Sequence, residues 1–395
     1  MVYNYLPIGH SDLRLLASVS IQSDRLSFSM TCFAQKSAPR YTAISFTWGN
    51  ETSSEYIFIN GQPFPVRLNL WSCLHSLAQD KTAGWTHLWV DAICIDQNNN
   101  AERTAQVRRM DTIYRNASAV SVWLGLPPSV EQYRSRHEPI RTFEDSGFDF
   151  YDEMSHLANH PYWTRFWVIQ EFLLGRDVNL YYGNTRMNWL EFKKILEREA
   201  SLTWGHLLSN YGDGFDSRLY RAVPLLTERH LYGHPEFHLP LYQLLINHST
   251  SECKDPRDRV FALLGLVIPK ERVLLERIFP DYDMSEDDVV VIALAHVKQC
   301  NPEYDGADDD TLFEGLGITN AKKRKMIERR VAIYNYWGGE IPRDYWFSDD
   351  NDAAERQARS SEGDDGPNQR CMKTTYAVTL FVFALLCVSG WKRYR

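Results

Sequence analysis

The sequence predicts an α/β protein built around a parallel sheet, with a mostly helical region after it. Two observations lead there. First, Leu88–Gly125 contains an apolar run ending at Asp91, a helix-patterned segment, and a second apolar run at Ala119–Leu124. Strand, helix and strand in that order make a βαβ unit, whose strands lie parallel. Second, Tyr41–Thr47 and Val178–Tyr182 are further apolar runs of strand length on either side of that unit.

The remaining elements follow in order. Arg25–Phe33 (RLSFSMTCF) alternates as a half-buried strand. Tyr56–Ile59 and Gln62–Val66 flank Asn60-Gly61, a strong hairpin signal because both turn positions require positive φ. Asn69 is placed to cap a helix running through Gln79, with Leu70, Cys73, Leu74 and Leu77 on one face. Strand His87–Asp91 and helix Ala101–Arg115 come next, the helix presenting Val107, Met110, Ile113 and Tyr114 as its apolar face. Residues 127–147 are rich in Pro, Arg and Glu and read as a surface insertion. A helix is expected over Tyr162–Leu174, and a turn at Gly183-Asn184. From Leu190 to about Arg330 the pattern is mostly helical, with loops at Asn210–Asp216 and Tyr232–Leu239.

Composition bounds the function. With 395 residues and 44% hydrophobic content the chain can bury a large core, so wholesale disorder is excluded. A net charge of -8 disfavours a nucleic-acid binder, which needs clustered Lys and Arg against phosphates. The longest basic cluster, Lys322–Arg330, could touch nucleic acid or anionic lipid but reads better as a solvated helix face. Seven scattered cysteines without a C-x-x-C pair suggest reduced thiols, and no Ser or Cys nucleophile motif is evident. His230, His234 and His238 recur every four residues, but Gly233 and Pro235 interrupt the helix a metal face would need, so no metal is expected. No phosphate-cradling glycine motif occurs, which argues against dehydrogenases and P-loop ATPases.

The Leu88–Gly125 block resembles the signature of the fungal heterokaryon-incompatibility (HET) domain. Other segments match the same family in order: YTAISFTWGN at Tyr41–Asn50, RFWVIQEFL at Arg165–Leu173, the lead-in Tyr5–Leu16, and DPRDRVFALLGL at Asp255–Leu266. The resemblance implies an effector of fungal allorecognition and programmed cell death. The strand–helix order from Tyr41 to Leu174 is also similar to the Toll/interleukin-receptor (TIR) domain, a flavodoxin-like parallel sheet flanked by helices. Some TIR domains cleave NAD at the nicotinamide–ribose bond, using a Glu four residues after a Trp. Trp167 and Glu171 have that spacing and would share one helix face. The resemblance therefore implies Glu171 as a catalytic carboxylate, with Trp167 stacking on the substrate and NAD as substrate, not cofactor. The 20-residue insertion after Leu126 is a departure from the TIR pattern.

Other residues are candidates by position. In open parallel sheets ligands bind beyond the carboxyl ends of the strands. Asp91 and Asp96 sit at such an end and could hold a ribose hydroxyl or cap the local loop. Trp48, before Gly49, could stack on a base or belong to the core. Glu171 has a structural alternative, pairing with Arg165 or Arg176. Asn99 and Glu102 have capping-box spacing. Arg103, Arg108 and Arg109 read as a solvated face. A non-enzymatic alternative makes the domain a self-associating signalling module, with Asp91, Asp96 and Arg108 at an interface.

The expected organisation is N-terminal strands over 1–37, a HET domain over 38–178, a helical region over 179–345, a disordered acidic linker over 346–372 and a transmembrane anchor over 373–395. Thr374–Trp391 is an uncharged run of 18 residues, about 27 Å as a helix, and KRYR follows it. This predicts a tail-anchored protein on the cytosolic face of a membrane; without the anchor it would be cytoplasmic. Expected partners are a second copy through the HET domain, a separate sensor protein and the membrane, with no nucleic acid.

Overall fold

The computed structural model describes residues 3–22, 25–49, 55–80, 82–126, 141–142, 156–197, 221–232, 237–301, 304 and 306–336. A ten-stranded mixed sheet runs β5-β4-β2-β1-β6-β3-β7-β9-β10-β8. Its strands are β1 (Asp12–Gln22), β2 (Arg25–Ala34), β3 (Thr42–Phe46), β4 (Glu55–Ile59), β5 (Gln62–Val66), β6 (His87–Trp89), β7 (Ala119–Trp123), β8 (Arg141–Thr142), β9 (Val178–Tyr182) and β10 (Thr185–Asn188).

The centre, β6-β3-β7-β9, is parallel. Numbered by chain order, these four strands stand 2-1-3-4, the flavodoxin-like arrangement. β3 and β7 are buried and apolar because both faces are covered, as parallel strands require. The flanks are mixed: β1 pairs antiparallel with β2 and β6, and β9 with β10. The Asn60-Gly61 hairpin forms as expected, at φ +52° and +81°.

Helices α1 (Leu68–Gln79), α2 (Asp91–Cys94), α3 (Asn100–Val107), α4 (Met110–Asn116) and α5 (Phe166–Leu174) accompany this core. Ser45 pairs with Val122 in register, so it points to the face opposite Trp123. Glu171 of α5 bonds Ser45, whereas Asn69 of α1 bonds the Trp123 indole at 2.8 Å. Thus α5 and α1 cover opposite faces.

The structure corrects several local expectations. Asn69 does not cap α1, whose N-cap is Arg67; its amide instead donates to the Thr47 carbonyl at 2.7 Å. The helix foreseen over Ala101–Arg115 is broken into α3 and α4 around Arg108 and Arg109. Arg108 is exposed and donates to the Pro280 carbonyl, but Arg109 is not a solvated residue: it donates to the carbonyls of His10, Ser11 and Asp12. Arg103 lies over the Tyr282 ring at 4.3 Å. Helix Tyr162–Leu174 is a 3-10 turn, Pro161–Thr164, followed by α5.

A helical layer follows: α6 (Val223–Tyr232), α7 (Leu241–Asn247), α8 (Asp258–Phe261), α9 (Pro269–Leu275), α10 (Glu286–Cys300), α11 (Asp309–Gly315) and α12 (Ala321–Tyr336). The basic cluster on α12 is paired with acidic helix starts. Lys323 meets Asp287 at 2.9 Å, Arg324 meets Asp310, and Arg330 meets Asp288. Met1–Tyr334 is one compact unit. β1 and β2 pair into the same sheet as β3, and position 178 begins β9. The expected loop at 210–216, the linker and Thr374–Trp391 lie outside the described residues. Among the described residues, no helix is long and apolar enough to cross a membrane.

Candidate functional site

The carboxyl ends of β6, β3 and β7 gather a set of polar side chains. Glu171 is enclosed among them, at 4% exposure. Ser45 Oγ donates to its carboxylate, and the Tyr162 hydroxyl lies 2.6 Å from Ser45 Oγ. Since the Ser45 proton is committed to Glu171, Tyr162 must donate to Ser45, giving a relay from Tyr162 through Ser45 to Glu171. The Tyr114 hydroxyl nearby donates to the Ile44 carbonyl at 3.2 Å. Burial pushes the Glu171 carboxyl up to about 7; Arg165 opposes this, Asp91 adds to it, and the Ser45 and Tyr114 hydroxyls oppose it. Arg165 itself donates to the Phe46 carbonyl and attracts Glu171 through space.

Asp91 follows β6 and starts α2. Its Oδ2 accepts the Trp48 indole N–H at 3.1 Å, and its Oδ1 accepts the Ala92 N–H at 2.7 Å. Burial pushes its carboxyl above the usual carboxylate range, while Arg165, the Ala92 N–H and the Trp48 N–H pull it down. Trp48 is held by Arg67, which donates to the Trp48 carbonyl at 2.9 Å and sits over the ring. Asp91, Trp48 and Glu171 are therefore parts of one electrostatically coupled group.

Asp96 and Trp167 have other partners. Asp96 Oδ1 accepts the Asn98 N–H at 3.1 Å, forming a local turn. The Asp96 N–H donates to Glu102 at 2.8 Å, so Glu102 reaches past its cap to Asp96 and to the buried Arg14. Asn99 does cap the helix, accepting the Glu102 N–H at 3.1 Å. The Trp167 indole donates to Asp258 at 2.9 Å.

That bond explains how α5 is held. Asp258 also accepts the Tyr282 hydroxyl at 2.7 Å, and burial pushes its carboxyl up to about 6. Gln170 donates to the Ala262 carbonyl, and Gly265 fits where any side chain would strike Asp111 and Gln170. Arg229 caps the end of α5 through the carbonyls of Phe172, Leu173 and Gly175. Within Asp255–Leu266, Asp258, Ala262 and Gly265 thus hold the Glu171 helix against the helical layer, while Asp255 pairs with Arg257.

Sequence reasoning missed Ser45, Tyr114, Tyr162 and His160. Burial, with His156 nearby, lowers His160 to about 4, so its ring is neutral, and its Nδ1 accepts the Tyr162 N–H at 3.1 Å. Its Nε2 lies beside Gly125, at the carboxyl end of β7. Ser45 carried a weak signal, a polar residue in an otherwise apolar core strand; the other three carried none.

This geometry coincides with a family match. Residues 41–171, from the start of β3 to Glu171 itself, match the family model described as heterokaryon incompatibility protein (HET). Residues 41–171 are thus similar to the HET domain. A relative, heterokaryon incompatibility protein 6, OR allele, from Neurospora crassa, is 30% identical over 315 residues, covering 62% of this chain. The chain spans 45% of that relative's length. No solved structure matches the chain.

Proposed function

We propose that this chain is an effector of fungal incompatibility and programmed cell death whose HET domain hydrolyses NAD at the nicotinamide–ribose bond. The observation that carries the reading is a buried carboxyl, Glu171, tuned to about 7 beside Asp91 and Trp48 at the ligand edge of a flavodoxin-order sheet. Departure of nicotinamide leaves an oxocarbenium-like ribose, which the Glu171 carboxylate stabilises while water adds. Asp91 offers an acceptor for a ribose hydroxyl, and Trp48 a flat ring for stacking.

At 4% exposure Glu171 meets ribose only after its shell opens. This suits an effector held off until a separate sensor activates it. The test is induced expression in fungal cells, with NAD and nicotinamide followed alongside viability, for wild type and Glu171→Gln. Death with NAD loss in the wild type alone supports the reading.

A second reading is a self-associating signalling module without catalysis. It is favoured by the enclosure of Glu171 within the fold and its hydrogen bond from Ser45. Killing that proceeds at constant NAD selects it.

A further inference from the structure

A second cluster lies in the helical layer. Cys300 and His296 are one turn apart on α10, and Glu271 projects from α9. His296 Nδ1 is 3.7 Å from Cys300 Sγ, and His296 Nε2 is 3.2 Å from Glu271 Oε2. Both ring nitrogens are therefore engaged, one toward the sulfur and one toward a carboxylate that fixes the ring. This is the nucleophile–base–orienter arrangement of an activated thiol. Glu271 is 3% exposed and is itself positioned by the Leu241 N–H at 3.1 Å. Its other oxygen, Oε1, is buried without a hydrogen bond, so the charge is left free to act on the imidazolium.

We propose that Cys300 is a peroxide-reactive thiol, activated by His296 and Glu271, and a site of reversible oxidation to a sulfenic acid. The thiolate–imidazolium form is the reactive one. The sulfur lone pair attacks one oxygen of hydrogen peroxide, forming an S–O bond and breaking the O–O bond. The departing hydroxide takes the His296 proton and leaves as water. Sulfur loses two electrons and peroxide gains them.

The surroundings favour a charged His296. Burial works against the His296 imidazolium, but its bonds to Cys300 and Glu271 outweigh that and bring it up to about 9. The carboxyl end of α10 also favours a cation at His296, which sits beside the sulfur. The other described cysteines lack such a partner: Cys73 and Cys94 are buried and pushed up, Cys253 is pushed up to about 11, and Cys32 is exposed but also raised. Cys300 is partly exposed, so small oxidants can reach it.

The experiment treats the full-length protein with limiting hydrogen peroxide at pH 7, traps sulfenic acid with dimedone and maps the labelled peptides. Cys300 should label about tenfold faster than the more exposed Cys32, the order of gain that an adjacent, oriented imidazole gives a thiol nucleophile. His296→Gln should bring Cys300 down to the Cys32 rate. A Cys300 rate at or below that of Cys32 in the wild type overturns the proposal without recourse to any variant. So does fast Cys300 labelling that a folded His296→Gln variant leaves unchanged.

Discussion

Ser45 and Glu171, 126 positions apart, are joined by a single buried hydrogen bond that ties the first parallel strand to the helix covering it. The bond decides how the site responds to protons. A carboxyl in an apolar interface is destabilised as an anion, and one hydroxyl donor recovers only part of that cost.

The first prediction concerns that balance. Glu171 binds its proton more tightly folded, at about 7, than unfolded, at about 4.5. Its stabilising share is therefore complete below pH 4.5 and is lost as the pH climbs to about 7. The whole change is roughly 3 kcal/mol at one pKa unit per 1.36 kcal/mol. Glu171→Gln keeps an acceptor for Ser45 and removes the charge. Its Tm should exceed that of the wild type at pH 8, with a flatter profile between pH 5 and 8, while NAD cleavage and killing are abolished. Thermal melts across that range check the first half, and a variant less stable than wild type at pH 8 refutes it.

Asp91 tests the ligand edge. Asp91→Asn retains an acceptor for the Trp48 indole or for the Ala92 N–H but not both, a cost of about 1 kcal/mol. NAD cleavage should fall by at least about tenfold, the worth of one lost charged hydrogen bond to substrate. Far-UV circular dichroism should be unchanged. Unfolding of the variant would make Asp91 a turn residue and remove it from the site.

Trp167 separates clamp from contact. Trp167→Phe keeps the ring and deletes the N–H that Asp258 accepts, costing about 1–3 kcal/mol in urea unfolding. Cleavage should survive within a few-fold once the protein is folded. Complete loss of activity at unchanged stability would place Trp167 against the substrate.

What the sequence disclosed and what it hid divide by range. The Asn60-Gly61 hairpin, β3, β7 and β9 were legible because turn chemistry and apolar runs are local. So was the edge position of Asp91. The break between α3 and α4 was hidden, because the carbonyls that bind Arg109 come from residues 10–12, far up the chain. Glu102 has perfect capping-box spacing, yet Arg14, 88 positions away, takes its carboxylate. The shell around Glu171 fails the same test: Ser45, Tyr114 and Tyr162 meet only in three dimensions. Trp167 had the right spacing, but spacing alone cannot say that Asp258 awaits its indole.

Gly265 offers the sharpest check on the clamp that holds the Glu171 helix. It lies in the segment Asp255–Leu266 that resembles a family motif, and its φ is not positive, so backbone freedom is not its reason for being glycine. Space is. A Cβ there would stand 2.3 Å from Asp111 Cβ and 2.5 Å from Gln170 Oε1. Asp111 cannot yield easily, since it pairs with Arg272 at 2.8 Å, and Gln170 precedes Glu171 on α5. Gly265→Ala must therefore push α4 and α5 away from the helical layer. Overpacking of this kind costs about 1–3 kcal/mol. Because the displaced helix carries Glu171, cleavage should fall further than the stability loss explains, and the Glu171 proton affinity should drop toward the ordinary carboxylate range as water enters. Urea unfolding and a pH–rate profile measure the two effects separately. A variant that loses stability but keeps both rate and pH midpoint would show that the clamp serves the fold alone.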